Sequence, residues 1–284
     1  MYSKVLHLPA RIRNNKNILW LSSRGQTLLS YLLLLVTCFI AGTVHAQQIS
    51  EPVISIIIDD IGYRNIDDVK ALALPGPLAY AIMPHSPLAH KMSELAANNG
   101  KDIILHMPME AVDHDKNRFL GPGGLKQDMN EIQFISTLIY NLRSVPNIIG
   151  VNNHMGSLLS RDKEKMGWLM DYLDIKKVFY IDSVTIGNSV AAMAARVRNV
   201  PYMRRDIFLD NSVNADDIDA QFEELIRVAK RKGSAIAIGH PHPETIRVLA
   251  TNLSRLHEYG VRLISVRDMV NNHQPIEAPR VTLN

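Results

Sequence analysis

Short apolar segments alternate with helical patterns from residue 53 onward, and this alternation restricts the possible fold more than any other feature of the chain. Runs of β-branched and aliphatic residues are typical of strands that are buried on both faces of a sheet. Strands alternating with helices predict a mostly parallel sheet with right-handed crossover connections. The predicted strands are Val53–Ile58, Leu78–Met83, Asp102–Met107, Ile148–Val151, Val178–Ile181, Ile207–Leu209, Ala235–Ile238 and Arg262–Val266.

Four of these strands end abruptly in residues whose side chains can bind a metal ion. Parallel sheets place their functional sites at the carboxyl ends of the strands, so these ends are expected to converge. An open sheet concentrates its site at the one point where the strand order reverses. Here the candidate residues follow strands from the beginning to the end of the chain, which favours a closed (β/α) barrel. The strand-end residues are Asp59 and Asp60, then His106 followed by Glu110, then His154, and finally His240.

The first 46 residues have the composition of an export signal rather than of the folded domain. They contain five basic residues and no acidic residue, an uncharged stretch from 25 to 43, and the ending Val44-His45-Ala46. A basic segment, an apolar segment and a small-x-small ending predict a cleaved secretory signal peptide. The alternative is an uncleaved membrane anchor, because the apolar stretch is nearly long enough to span a bilayer.

Removal of residues 1–46 changes what the composition implies. The remaining 238 residues carry 26 basic and 28 acidic side chains, so the net charge is about −2, and the only cysteine, Cys38, is lost. This balance excludes a basic face for nucleic acid, and it excludes disulfide and thiol chemistry. We expect one barrel-sized domain over residues 47–284 in the periplasm, with a loose tail from about residue 271.

The connection after the third predicted strand is long for this type of fold. Residues 112–127 are polar and contain Gly121-Pro122-Gly123-Gly124, which indicates either a lid or a wall of a substrate site. Asp128 is followed three residues later by Glu131, which is the spacing of a capping box and predicts that a helix begins there.

Asp59 and Asp60 are adjacent carboxylates at a strand end. On a regular strand their side chains would point to opposite faces, but where the chain turns into Ile61-Gly62 both can reach one cavity. One of them can then bind a divalent metal while the other acts as base toward a water molecule. The alternative is that the pair caps the following helix.

His106 and His154 occupy similar positions after apolar strands. With Asp60 they form a His₂Asp set, a common catalytic zinc arrangement that leaves one position open for water. The alternative is that each histidine is a hydrogen-bonded core residue. Glu110 lies four residues after His106, and it is interpreted as an additional ligand, a substrate contact or a plain residue at the lip.

Further candidates lie at other strand ends. Asp182 is expected either to hold a ligand histidine in one tautomer or to contact a sugar hydroxyl. Arg205 and Asp206 are expected either to position Asp59 by an ion pair or to form a surface pair. His240 is the natural general acid, because a leaving group must be protonated as it departs.

Six motifs follow one another along the chain: IIIDDIG at 56–62, LHMPME at 105–110, GVNNHMGS at 150–157, IDSVT at 181–185, RRDIFLDN at 204–211 and IGHPHPET at 238–245. As an ordered set they resemble the divergent polysaccharide deacetylase family, a distant branch of the NodB-type carbohydrate esterases. The resemblance implies an α/β fold, a single distorted (β/α)₇-type barrel, with one divalent metal site. It also implies that Asp59 is the base, that Asp60 binds the metal and that His240 is the acid.

The chain departs from the NodB pattern in three ways. The usual His-(Ser/Thr)-x-x-x-His segment is absent, since His106 matches its first histidine but Glu110 stands where the second would be. His154, from the next strand, must then supply the second nitrogen. The Arg-x-Pro-Tyr motif after that strand is also missing. These departures bear on deacetylase activity more than on the fold or the metal.

The resulting expectation is a periplasmic, metal-dependent hydrolase of the carbohydrate deacetylase type, with zinc as the metal. Its substrate would be an N- or O-acetylated polysaccharide or peptidoglycan-type glycan, and it would touch the membrane only through an uncleaved signal segment. One alternative is a non-catalytic envelope protein that uses the barrel to bind a glycan or a partner. Another is a metal-dependent hydrolase that acts on a different bond.

Overall fold

The computed structural model describes residues 51–273, so the predicted signal segment and residues 274–284 of the predicted tail lie outside the described residues. Within this range no helix is both long and apolar enough to cross a membrane. The strands are β1 (Val53–Ile61), β2 (Ala79–Ile82), β3 (Asp102–Met109), β4 (Gly150–Met155), β5 (Phe179–Asp182), β6 (Tyr202–Arg204), β7 (Ile207–Phe208), β8 (Ser234–Gly239) and β9 (Arg262–Leu263). The helices are α1 (Asn65–Leu72), α2 (Ala89–Asn98), α3 (Glu131–Ser144), α4 (Lys163–Lys176), α5 (Ala191–Val197), α6 (Ala215–Lys232), α7 (Pro243–Leu253), α8 (Leu256–Tyr259) and α9 (Val266–Asn272).

All of these strands belong to one parallel sheet. Its order is β6-β5-β4-β3-β2-β1-β8-β7, and the short strand β9 pairs with the beginning of β1. Helices connect most successive strands, as expected for parallel neighbours that cannot be joined by a tight turn. The predicted α/β class and parallel sheet are therefore confirmed.

The two ends of the sheet meet at Arg205 and Asp206. The Arg205 N–H donates to the Asp182 carbonyl on β5 at 3.0 Å, and the next N–H, of Asp206, donates to the Ile236 carbonyl on β8 at 2.8 Å. Consecutive residues thus pair with opposite ends of the sheet, which curls it into a distorted barrel. Counted as one interrupted strand, β6 and β7 complete the seven positions of the predicted (β/α)₇ arrangement.

Alternate strand residues enter two apolar clusters. Ile56 and Ile58 belong to the larger cluster, which includes the surrounding helices, whereas Ile57 belongs to a smaller cluster inside the curled sheet. Helix α9 closes the inner cluster with Val266 and Met269. The strands are apolar on both faces because one face packs on helices and the other fills the barrel.

Two differences from the predicted strands affect the site. Strands β1 and β4 continue past the predicted ends to Ile61 and Met155, because the polar residues there still pair with neighbouring strands. Strand β6 was not predicted, because Tyr202–Arg204 is only partly buried and has no apolar run.

The capping box before α3 also differs from the prediction. It is formed by Asn130 and Gln133, each side chain accepting the other residue's backbone N–H at 3.0 Å, and not by Asp128 and Glu131. The prediction was wrong by two residues, because the same spacing occurs at both positions and amides can cap as carboxylates do.

Candidate metal centre

Donor atoms from strands β1, β3 and β4 converge at the carboxyl end of the barrel. Asp60 Oδ1 lies 3.2 Å from His106 Nε2 and 3.1 Å from His154 Nδ1. The two histidine nitrogens are 3.2 Å apart. His106 is buried, whereas the side chains of Asp60 and His154 are 37% and 18% exposed. The structure therefore brings together the three residues predicted to bind metal, with an open side toward solvent.

The two-residue period of β-strands explains the positions of both histidines. Ile104 points into the barrel, so His106, two residues later on β3, points the same way. On β4, Val151 faces the helices, so His154 lies on the opposite, inward face with Asn152. The inward rows change from apolar to polar where the barrel interior opens to solvent.

Asp59 and Asp60 reach the same cavity by different means. Asp59 continues the inward row of Ile57, whereas a regular strand would turn Asp60 toward the helices. At Asp60 the backbone φ is +59°, and the β1–β2 register is irregular between Ile58 and Ile61. This local turn directs both carboxylates into one site, which is the geometry expected from the sequence.

Asn152 links two predicted site residues, although the sequence interpretation did not single it out. It is fully buried, its Oδ1 lies 2.8 Å from His106 Nδ1, and its Nδ2 donates to Asp59 Oδ1 at 2.8 Å. An amide oxygen only accepts, so the His106 proton resides on Nδ1. Nε2 of His106 faces Asp60 and His154, so it is the ring nitrogen that is placed to bind a metal ion.

The three donors fit a divalent metal ion. Asp60 Oδ1 is the oxygen that points between the two imidazole nitrogens, 3.2 Å from His106 Nε2 and 3.1 Å from His154 Nδ1. Donors about 2.1 Å from one ion at tetrahedral angles lie roughly 3.4 Å apart, close to the observed separations. Burial would raise the pKa of Asp60, but the hydrogen bonds and charges of His106 and His154 outweigh it and hold the pKa well below its ordinary value. The carboxylate is therefore ionised and ready to bind a cation.

Asp59 lies beside this cluster, and one of its carboxylate oxygens accepts the hydrogen bond from Asn152. Its Oδ2 is 3.6 Å from His106 Nε2, and the residue is 3% exposed. Burial raises the pKa of Asp59 above its ordinary value, although the charges of His106 and His240 partly offset this effect. A buried carboxylate with a raised pKa, fixed by Asn152, is suited to accept a proton.

His240 approaches the cluster from β8 and is held by Asp210. Its Nε2 lies 3.8 Å from Asp60 Oδ2, and its Nδ1 lies 3.0 Å from Asp210 Oδ1. The second Asp210 oxygen accepts from the His240 N–H at 2.6 Å and from the Thr245 hydroxyl at 2.8 Å. Burial would lower the pKa of His240, but the Asp210 hydrogen bond and the charge of Asp60 raise it to about 9. His240 is thus protonated at neutral pH in the metal-free centre, as a proton donor must be.

Asp182 and Glu110 form hydrogen bonds with loop residues and not with the three clustered metal-binding candidates. Asp182 accepts from the Val184 N–H at 2.8 Å and from the Ser189 hydroxyl at 2.7 Å, and no histidine contacts it among the described residues. Of the two roles expected of Asp182, it does not perform the first, because the ligand histidine His106 is oriented by Asn152 and His240 is held by Asp210. Glu110 Oε2 accepts the backbone N–H of Gln127 at 2.7 Å, and Glu110 lies outside the cluster of donors.

Arg205 and Asp206 make contacts other than the expected ones. Within the described part of the chain, no ion pair joins Arg205 to Asp59 or to Asp206. The Arg205 guanidinium donates to the carbonyls of Ser183 and Val184 at 2.8 and 3.1 Å. Asp206 pairs with Lys232 at 2.7 Å. Both residues therefore stabilise the place where the two ends of the sheet meet, and neither positions Asp59.

A cleft of about 360 Å³ opens directly over the centre. The loop 112–127 contributes Phe119 to its lining, and hydrogen bonds between Leu125 and the backbone of Pro108 and Glu110, each 2.9 Å long, attach this loop to β3. This attachment favours a fixed wall over a lid. The lining residues are Asp60, Tyr63, Arg64, Met83, Phe119, His154, His240, Pro241 and His242.

The fold and the site together define a (β/α) barrel with a metal-competent His₂Asp cluster, a neighbouring carboxylate and a carboxylate-bound histidine. The family model for divergent polysaccharide deacetylases matches residues 56–270. The chain belongs to the divergent polysaccharide deacetylase family, as the sequence motifs predicted.

Similar proteins occur in several bacteria. The chain is 39% identical over 223 residues to an uncharacterised protein of Haemophilus influenzae, covering 78% of each chain. It is 36% identical over 230 residues to the uncharacterised protein YibQ of Escherichia coli K12, covering 80% of this chain and 71% of that protein. The crystal structure of an uncharacterised protein from Agrobacterium tumefaciens C58 superposes with a TM-score of 0.74 at 20% identity, covering 77% of this chain and 89% of that one. This last likeness concerns the fold.

Proposed function

We propose that this protein is an exported, metal-dependent hydrolase that removes acetyl groups from an envelope glycan. The observation that carries the proposal is the pairing of a buried carboxylate, Asp59, with a protonated imidazole, His240, on either side of the metal-competent cluster. Membership of the divergent polysaccharide deacetylase family supports an acetylated polysaccharide or peptidoglycan-type glycan as the substrate.

Asp60, His106 and His154 would hold the ion, and zinc is the expected metal because two imidazole nitrogens and one carboxylate form a common catalytic zinc set. When bound, the ion would polarise the acetyl carbonyl and make a water molecule more acidic. The protein supplies the fixed donor positions, through the Asn152 contact that orients His106.

The remaining steps are proton transfers by residues of the chain. Asp59 accepts the proton of the water molecule that attacks the acetyl carbonyl, while Asn152 keeps its carboxylate in place. His240 donates a proton to the departing amine or alcohol, and Asp210 keeps its other nitrogen protonated and oriented. The acetyl C–N or C–O bond then breaks, and acetate and the free sugar group are released.

The hydrolase proposal is tested by metal content and acetate release. We expect the protein to retain one divalent ion after purification without added metal and to release acetate from members of a panel of acetylated glycans. Asp59→Asn should keep the ion but lower the rate by about 10²- to 10⁴-fold. Asp206→Asn is a matched control, because Asp206 pairs with Lys232 outside the cluster.

A different result would favour the non-catalytic alternative. If the wild type binds acetylated glycan but releases no acetate with zinc, cobalt or manganese supplied, the barrel serves glycan or partner binding instead. If acetate release persists in Asp59→Asn at the wild-type rate, Asp59 is not the base.

Export to the periplasm is the second part of the proposal, and it rests on the basic leader and the Val44-His45-Ala46 ending. We expect amino-terminal sequencing of the protein from a periplasmic fraction to begin at Gln47. Recovery of the full leader in the membrane fraction would instead establish an anchor.

A further inference from the structure

We propose that Tyr63 and Phe119 form a subsite that binds a pyranose ring of the substrate beside the reacting centre. The proposal rests on the proposed function, because it takes the glycan to be the molecule that enters the cleft. Both side chains line the same cavity as Asp60, His154 and His240.

The exposure of these two rings is the first observation. Among residues 51–273, the exposed tyrosine and phenylalanine side chains are Tyr63, Phe119 and Tyr140, at 48%, 63% and 60%. Tyr140 stacks on the ring of His85 at a centroid distance of 3.8 Å, so it has a partner within the protein. The other two lie together in the cleft. Concave sites lined by aromatic side chains and a few polar groups are typical of small-molecule binding.

The Tyr63 ring is held on a rigid turn. The N–H groups of its neighbours Gly62 and Arg64 both donate to Asp68 Oδ2, at 2.9 and 3.0 Å, and Asp68 is fully buried. The Tyr63 hydroxyl extends to Gly121 in the loop that carries Phe119, where an added Cβ would lie 3.5 Å from it. Tyr63 therefore lies next to the segment that carries the second ring.

Phe119 is also positioned in advance of binding. It ends a single 3-10 turn, Lys116–Phe119, and within this turn the Asn117 side chain exchanges two hydrogen bonds with the backbone of Ala111, at 2.8 and 3.0 Å. The Arg118 guanidinium lies 4.6 Å from the centre of the Phe119 ring. Rings that are ordered before binding lose little conformational freedom when a ligand packs on them.

A pyranose ring matches this surface chemically. The axial C–H groups of such a sugar form an apolar face that packs on an aromatic ring, while its hydroxyl groups point outward to water and polar residues. The cleft volume of about 360 Å³ is at the lower end of the range for small-molecule sites, which suits one acetylated sugar better than a buried oligosaccharide. A sugar ring packed on Tyr63 and Phe119 would lie in the same cavity as Asp60 and His154.

The proposal is tested by glycan binding to the metal-loaded protein, measured by calorimetry, with acetate release followed in parallel. The probes are N-acetylglucosamine tetramer and a purified peptidoglycan disaccharide fragment. We expect Tyr63→Ala and Phe119→Ala each to weaken binding of the bound probe by about tenfold, the loss of one aromatic contact. Tyr63→Phe should bind within about twofold of wild type, because the ring face remains. Tyr140→Ala is the control, an exposed tyrosine outside the cleft, and should bind as wild type does.

The outcomes separate this subsite from the proposed reaction. Acetate release with unchanged binding in both alanine variants would overturn the subsite and leave the hydrolase intact. Weakened binding in both variants without acetate release from wild type would support the subsite and refute the hydrolase. If wild type binds neither probe, the subsite proposal is wrong. Thermal unfolding of each variant checks that the exposed substitutions leave the fold unchanged.

Discussion

Replacement of Asn152 separates the two halves of the candidate centre, because one side chain contacts both the expected base and an expected ligand. Asn152→Ala removes the acceptor for His106 Nδ1 and the donor to Asp59 Oδ1, each at 2.8 Å, in a position with no solvent exposure. Each buried group left without a partner costs about 1–3 kcal/mol. The free energy of unfolding should therefore fall by about 2–6 kcal/mol. Metal affinity should fall by about 10- to 100-fold, since His106 loses the contact that orients it.

Asn152→Asp distinguishes the two contacts. The new carboxylate still accepts the His106 Nδ1 proton, but it places a second negative charge where an amide N–H had bonded to Asp59. Two carboxylates at hydrogen-bond distance do not both ionise, so they share a proton. We expect metal affinity close to that of wild type, while hydrolysis falls by about 10²- to 10⁴-fold because the base is blocked.

The assays are zinc titration against a competing chelator, urea unfolding of the metal-free protein, and acetate release. Asn252→Ala is the matched control, because Asn252 is also buried and hydrogen-bonded, to Asp219 at 2.7 Å on the outer face of the barrel. The control should lose stability without losing zinc. Weaker zinc binding by Asn152→Asp than by Asn152→Ala would refute the argument, as would wild-type hydrolysis by Asn152→Asp.

Four other single variants test the rest of the centre and the turn that supports it. His106→Ala and His154→Ala should each lose zinc while the barrel stays folded, as measured by metal analysis and circular dichroism, and a double variant that keeps one ion per chain would contradict the ligand assignment. Asp210→Asn should lower the turnover number by about 10- to 100-fold with little change in zinc content, because it removes the carboxylate that holds the acid. Gly62→Ala should destabilise the fold by about 2–5 kcal/mol in urea unfolding, since Gly62 has a φ of +125° and a Cβ there would lie 2.9 Å from the Cβ of Ser86. A wild-type midpoint for Gly62→Ala would show that the turn after β1 can relax.

The inward row of each strand was largely predictable from the sequence. Apolar residues at alternate positions followed by a histidine or aspartate indicate both a strand and the face on which the polar residue lies. The same rule also identifies Asn152, because it precedes His154 by two residues on one strand and must share its face. The sequence interpretation missed Asn152 because it selected charged and metal-binding side chains, and an asparagine has neither a charge nor a metal-binding nitrogen.

Asp210 could not be found in this way. The strand before it, β7, contains only Ile207–Phe208, which is too short to establish a face. Its partner His240 is 30 residues away, directly after the neighbouring strand β8, and the contact depends on the pairing of Phe208 with Ile238. Strand β6 was also too short to predict. A short and half-exposed strand is stabilised by its neighbours rather than by its own sequence.

The division of labour between Asp59 and Asp60 depends on one backbone turn. If β1 continued in regular register, Asp60 would face the helices, and a single carboxylate would remain in the cavity to serve as either ligand or base. The positive φ at Asp60 removes this conflict. Aspartate tolerates that conformation better than most residues do, and Gly62 and the buried Asp68 support the turn that follows. The chemistry proposed for the centre therefore requires the Asp-Asp-Ile-Gly turn as a unit, not only its two carboxylates.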